Sequence, residues 1–221
     1  MELQGASILI AGGTGGLGSR LAAQLTEQGA NVTIVARSVE QNDQPGLTTV
    51  AADLRLPSEC DRAVEAAVAA HGRLDGVINA AGVVAFGNVD ETSVDTVEDL
   101  FMSNTFIPIF LTKSALGHIG EGGVIMTISG VVAEQPMAGM AAYSASKAAS
   151  AAFSSAIRRE LRRRKVTVID ARPGHTETGL AGHPIAGTAP AFKEGHDPDA
   201  VVARLIEAIE ANEPDLPASA F

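Results

Sequence analysis

Residues 8–22 read ILIAGGTGGLGSRLA, and five of the seven positions from 12 to 18 are glycine. The run Ser7–Ala11 before them is apolar and of strand length. After them, Leu17–Gln28 carries helical spacing that stops at Gly29. A strand that turns through glycine into a helix presents unpaired N–H groups and a positive dipole end, which together favour an anion. Gly12 would make the tight turn, Gly16 would let a pyrophosphate approach the backbone, and Gly18 would let helix and strand pack closely. The alternative is a plain strand–turn–helix connection. In that case so many glycines would lower stability, at about 0.5–1 kcal/mol each in a regular element, with no ligand in return.

The remaining chain repeats that alternation. Apolar or β-branched runs at Val32–Ala36, Leu47–Ala51, Gly76–Asn79, Gly123–Ile128 and Val166–Asp170 read as strands. Helical segments lie between them at Pro57–Ala70, Ser93–Leu116 (with a bend at Pro108) and Ala141–Arg164, and a last helix follows at Pro198–Glu210. Strands that are apolar throughout suit a parallel sheet covered on both faces. The expectation is an α/β protein with a Rossmann-type doubly wound parallel sheet of six strands in three α/β/α layers. Residues 1–221 form one domain in this reading, with no repeat and no linker, and the tail after Glu210 is irregular.

Composition narrows the partners. The 221 residues carry 16 Lys and Arg against 26 Asp and Glu, a formal charge of -10, which argues against a nucleic-acid groove or an anionic membrane surface. Cys60 is alone, so no internal disulfide forms, and its helical setting reads as a buried small residue. The N-terminus lacks a basic segment of signal type, and no stretch reads as a membrane span. These features lead to the expectation of a cytoplasmic protein. His175, His183 and His196 show no metal-ligand pattern, so no metal is expected.

The second strand ends in Ala36-Arg37-Ser38. An acidic residue at that tip would hydrogen-bond the ribose of NAD, whereas a guanidinium suits the 2′-phosphate of NADP. Arg37 therefore favours NADP, NAD being the weaker choice; the alternative is a solvated surface arginine. Asp53 either accepts from an adenine amine or caps the helix that begins at Pro57. Further on, Tyr143 and Lys147 lie i,i+4 on a helix, a spacing that puts both on one face. A nearby ammonium favours a phenolate and would bring a tyrosine down from its usual value near 10. A tyrosine filling a helix–sheet gap beside a solvated lysine is the plainer alternative.

Gly12-x3-Gly16-x-Gly18, Asp53, Asn79-Ala80-Ala81-Gly82, Asn104, Tyr143-x3-Lys147 and Pro173-Gly174 with Thr178 beyond occur in this order. Together they resemble the short-chain dehydrogenase/reductase family, from about residue 6 to about residue 180. The resemblance implies hydride transfer between a nicotinamide and a carbinol or carbonyl carbon. It gives Tyr143 the acid/base role, Lys147 the nicotinamide ribose and the tuning of the tyrosine, and Asn104 a water in a proton path. It places Thr14, Gly15 and Leu17 of the glycine turn, Leu54 beside Asp53, and Thr176 between Gly174 and Thr178 among the cofactor contacts. A small or medium, mostly apolar substrate would sit under a loop at about 179–195, with Met137, Met140, Leu180, Pro184, Ile185 and Phe192 as its apolar cover.

Three positions and the C-terminal run depart from the family pattern. The family's serine, which hydrogen-bonds the substrate oxygen, lies thirteen residues before the tyrosine, and that position is Gly130. Ser129 takes the role only if the strand end changes register, because a one-residue slip reverses the face. A substrate hydroxyl, a water or Thr127 are the other stand-ins. Ala80 replaces a second asparagine, and Ala11 replaces a common threonine. The run that forms a seventh strand in many relatives is missing, hence the count of six. A homodimer or homotetramer would then form through the long helices, with Ala148, Ala149, Ala151 and Ala152 as a small-residue face.

Overall fold

The computed structural model describes residues 1–39 and 45–221. Its sheet has seven parallel strands in the order β3-β2-β1-β4-β5-β6-β7. They are β1 Ser7–Ala11, β2 Asn31–Ala36, β3 Leu47–Ala51, β4 Leu74–Asn79, β5 Ile119–Ile128, β6 Thr167–Ala171 and β7 Asp215–Leu216. The helices are α1 Gly16–Glu27, α2 Pro57–His71, α3 Val94–Phe101, α4 Ile107–Ala115, α5 Ala141–Leu161 and α6 Pro198–Ala211. One face of the sheet packs against α1 and α6 through Ile10, Leu21, Leu25, Met126 and Leu205. The other packs against α2, α4 and α5 through Leu9, Val64, Leu111, Ile125 and Leu161. The order reverses between β1 and β4, and a crevice opens there at the strands' C-terminal ends, where ligands bind in such sheets.

The doubly wound fold is as expected, but the sheet has seven strands and not six. β7 pairs Asp215 with Asp170 and Leu216 with Ala171. Only two residues long and flanked by Pro214 and Pro217, it has no periodicity to read. Tertiary contacts create it: Leu216 is fully buried, its carbonyl accepts from Arg172 N (2.9 Å), and the Arg172 guanidinium pairs with Asp215 (3.0 Å).

The bend expected at Pro108 takes another form. Between α3 and α4, residues Met102–Phe106 form a π-helical turn, closed by Ile107 N to Met102 O. Pro108 sits in the first turn of α4. Lacking an N–H, it removes the donor that an α-helix would give to the Asn104 carbonyl. Such a turn often marks a functional site.

Candidate active site

The glycine turn forms one end of the crevice. Gly12 has φ +75°, which a residue with a side chain adopts at a cost. A Cβ on Gly18 would lie 2.1 Å from Gly12 O, so the helix start folds tightly onto the turn. A Cβ on Gly16 would lie 2.5 Å from Thr178 Cβ, so the turn closes against the strap after β6. Gly15, the N-cap of α1, has no side-chain cap bond, leaving the first-turn N–H groups for a ligand. These features fit a dinucleotide whose pyrophosphate lies over the start of α1.

A cavity of about 560 Å³ runs from this turn to the lid. Gly15, Gly16, Leu17, Ala80, Gly82, Ser129, Tyr143, Lys147, Pro173, Gly174, Thr176 and Thr178, all expected in the site, line it, and so does Gly130. Gly12, Thr14, Gly18, Asn79, Ala81 and Asn104 lie behind or beside it. Leu54 is buried in the core under α2, so only its backbone is open to a cofactor. Asn79 is enclosed at the end of β4, and neither end of its amide has a hydrogen-bond partner among the described residues.

Tyr143 and Lys147 project from the first two turns of α5. Lys147 Nζ donates to Ile128 O at the end of β5 (2.9 Å). A Cβ on Gly82 would lie 3.0 Å from Asn104 Oδ1 and 3.2 Å from Lys147 Nζ, so glycine here keeps both groups reachable. Asn104 is clamped: Oδ1 accepts from Val83 N (2.9 Å), and Nδ2 donates to Val83 O (3.0 Å) and Ser146 Oγ (3.0 Å). Its side chain therefore fixes β4's exit to α5 and has no free proton to give to a water.

Electrostatics reverses one expectation. Burial pushes the Tyr143 phenol up to about 12 and the Lys147 ammonium down to about 8. The i,i+4 spacing predicted a lowered tyrosine. The ammonium instead faces the Ile128 carbonyl, and desolvation dominates both groups.

Ser129 is not brought into its expected role. Its hydroxyl, fully buried, donates to Asp170 Oδ1 at 2.6 Å. Asp170 also accepts from Arg172, whose Nε donates to Glu134 (2.7 Å). The carboxylate holds the serine on the sheet side, as the one-residue slip along the strand requires. Gly130 follows at φ +80°, ψ 162°, a region open in practice only to glycine. Its N–H donates to Ala171 O (3.1 Å), and Val131 N–H donates to Pro173 O (2.9 Å). No backbone donor of this strand end is left for a substrate. Thr127 is buried within the sheet between Asn79 and Asp170.

Arg37 and Ser38 are exposed at the tip of β2. Asp53 is gripped by Arg55, with Nε to Oδ1 2.9 Å and Nη2 to Oδ2 2.6 Å. That bond, chiefly, lowers the Asp53 carboxyl from its ordinary value. The α2 N-cap is Leu56, so Asp53 is not the cap. Sequence reasoning missed Arg55, although its spacing of two from Asp53 was visible. It also missed Arg172, which bonds Asp170, Glu134 and Asp215 and ties β6 to β7 and to the 3₁₀ turn Val131–Ala133. Cys60 is buried, as expected, and burial pushes its thiol up to about 11. No described helix is long and apolar enough to cross a membrane.

A family model of the short chain dehydrogenases matches residues 6–186. Ipsdienol dehydrogenase of Ips pini is 34% identical over 200 residues, covering 81% of this chain and 78% of the relative. The crystal structure of a short chain dehydrogenase from Burkholderia cenocepacia J2315 in complex with NADP is similar at a TM-score of 0.83 and 26% identity, covering 100% of this chain and 99% of that one. 3-Ketoacyl-(acyl-carrier-protein) reductase from Brucella melitensis, complexed with NADH, shares the fold at a TM-score of 0.84 and 22% identity, covering 99% of each chain. The chain therefore belongs to the short-chain dehydrogenase family, as an oxidoreductase that works with a dinucleotide cofactor.

Proposed function

We propose that the protein interconverts an alcohol and a carbonyl on a small or medium, mostly apolar substrate, with NADP(H) as its cofactor. The observation that carries this is the placement of Tyr143 and Lys147, side by side on α5, in one cavity with the glycine turn. A bound nicotinamide supplies or takes the hydride. Tyr143, neutral at working pH, gives its phenolic proton to the carbonyl oxygen as the substrate is reduced and takes it back from the alcohol in the reverse direction. Lys147, buried but charged below about pH 8, stabilises the phenolate that remains and holds the ribose beside Gly82. The Asn104 carbonyl, without its α-helical donor because of Pro108, is the acceptor for a water that returns the proton. Gly174, Thr176 and Thr178 border the nicotinamide.

Arg37 supports NADP over NAD, since a guanidinium at the tip of β2 pairs with a 2′-phosphate. Association of two or four copies through the long helices is part of the same proposal. A panel of ketones assayed for NADPH oxidation tests the redox reading, with Tyr143→Phe expected to lower the rate about 10²–10⁴-fold.

A second reading has its own support. Ser129 bound to Asp170 and glycine at 130 leave the substrate oxygen without the family's extra donor, a loss worth about 3–4 kcal/mol, or about 10²–10³ in rate. A dinucleotide-binding protein with little turnover would quench NADPH fluorescence on binding yet oxidise it with no ketone. Tyr143→Phe would then change nothing.

A further inference from the structure

The chain has seven phenylalanines, one tyrosine and no tryptophan, yet Phe86, Phe192 and Tyr143 all line the cavity. Phe86 and Phe192 stand with ring centroids 6.0 Å apart at 53°. His175 stacks on Phe192 at 4.6 Å and 22°, so three adjoining rings line one wall of the cavity. Val84, Val132 and Met140 complete the buried apolar part of that cavity.

The wall is built in advance. The loop that carries Phe192 is laced to the segment that carries Phe86 by Phe86 N to Ala186 O (3.0 Å) and Ile185 N to Val84 O (2.9 Å). A Cβ on Gly187 would lie 1.8 Å from Phe86 O, so only glycine allows this approach. At the other end, His196 N donates to His175 O (2.7 Å) and Glu177 N donates to His196 O (3.1 Å). The His175 ring also meets Glu177 Oε1 (3.3 Å). Rings held this way lose little freedom when a ligand binds.

We infer that the substrate presents a planar, unsaturated ring to the Phe86–Phe192–His175 wall: an aryl or conjugated ketone, or the matching alcohol. The inference rests on the alcohol–carbonyl reading above and names its substrate class. An aliphatic wall would bind a saturated and an aromatic ring of one size nearly alike, by apolar area alone. Tilted or offset aromatic pairs with centroids at 4.5–7 Å add a preference of about 2- to 10-fold per contact.

The test compares acetophenone with cyclohexyl methyl ketone, first as ligands and then as substrates. Binding is titrated by ligand-observed NMR to protein saturated with NADP⁺, which cannot reduce a ketone, so affinity is read without turnover. Acetophenone should bind about 10-fold more tightly. The preference should fall by about 2-fold or more in Phe192→Leu, which changes a half-buried loop residue, and in Phe86→Leu. Equal affinities in the unaltered protein, or a preference left unchanged by both Phe192→Leu and Phe86→Leu, would overturn the inference. NADPH oxidation is measured separately. A ring preference without turnover keeps the ring site and removes the redox reading, whereas equal turnover of both ketones with no ring preference does the reverse.

Discussion

Replacing Lys147 with methionine should make the protein more stable while removing its activity. Lys147 is only 8% exposed, and burial lowers it from 10.5 to about 8. One pKa unit corresponds to about 1.4 kcal/mol, so keeping the charge in the fold costs about 3 kcal/mol at neutral pH. The attraction of Asp170 is already contained in that value. Methionine fills the stem's volume without a charge, but the Ile128 carbonyl loses its donor, at about 1–2 kcal/mol. The net gain is about 1–2 kcal/mol, which for a chain of this size raises Tm by about 2–8 °C. The pH dependence follows from the direction of the shift. Below about 8 the lysine is charged both folded and unfolded, and the penalty is complete. Between about 8 and 10.5 the unfolded chain binds more protons, so the unaltered protein gains stability as pH rises. The methionine variant's advantage should therefore be largest below pH 8, vanish between about 8 and 10.5, and give way above that to a deficit of about 1–2 kcal/mol from the lost hydrogen bond. Tyr143 titrates higher, near 12, and stays neutral across this range. Thermal unfolding of the two proteins from pH 6 to 10 measures the difference. An unchanged or lower Tm for Lys147→Met at pH 7, or an advantage that does not shrink with pH, would refute this reasoning.

Other perturbations separate the parts of the site. Gly130→Ser puts a side chain at φ +80°, ψ 162°. It should cost about 1–3 kcal/mol in denaturant unfolding; raised turnover with unchanged stability would show that the position accepts the family's serine. Ser129→Ala removes a hydroxyl bound to Asp170, and it should lower stability by about 1–3 kcal/mol with less than about a 10-fold change in kcat. A loss of 10²-fold or more, as for an oxyanion donor, would restore Ser129 to the catalytic set. Arg37→Ala should weaken NADPH binding and leave NADH unchanged, as read by fluorescence titration; equal loss for both would remove the 2′-phosphate assignment.

The parts of this molecule that its sequence announces are those that local chemistry determines. The five glycines of the first turn, the apolar strands β1 to β6 and the pair Tyr143–Lys147 are each set by neighbours within a few residues. β7 was not legible, because Asp215 and Leu216 become a strand only through Arg172 and the edge of β6. The π-helical turn at Met102–Phe106 was foreshadowed by Pro108, but the irregularity falls upstream of the proline, around the Asn104 carbonyl that loses its α-helical donor. The motif order located Asn104 without showing that its amide is committed to Val83 and Ser146. Whether Ser129 or Gly130 meets the substrate hinged on the partner across the sheet. Asp170, 41 residues away, holds the serine. Burial also explains why spacing alone gave the wrong direction for Tyr143: its degree of desolvation is a property of the packed cavity.

The most direct test of the central claim follows the hydride. The protein is incubated with acetophenone and NADPH deuterated at the nicotinamide C4 position, in separate samples for each face, and the product is examined by mass spectrometry. Deuterium at the carbinol carbon from one face only, lost in Tyr143→Phe although NADPH still binds, is the result this account predicts. No deuterated alcohol from a panel of aryl and alkyl ketones, or the same yield from Tyr143→Phe, would contradict it.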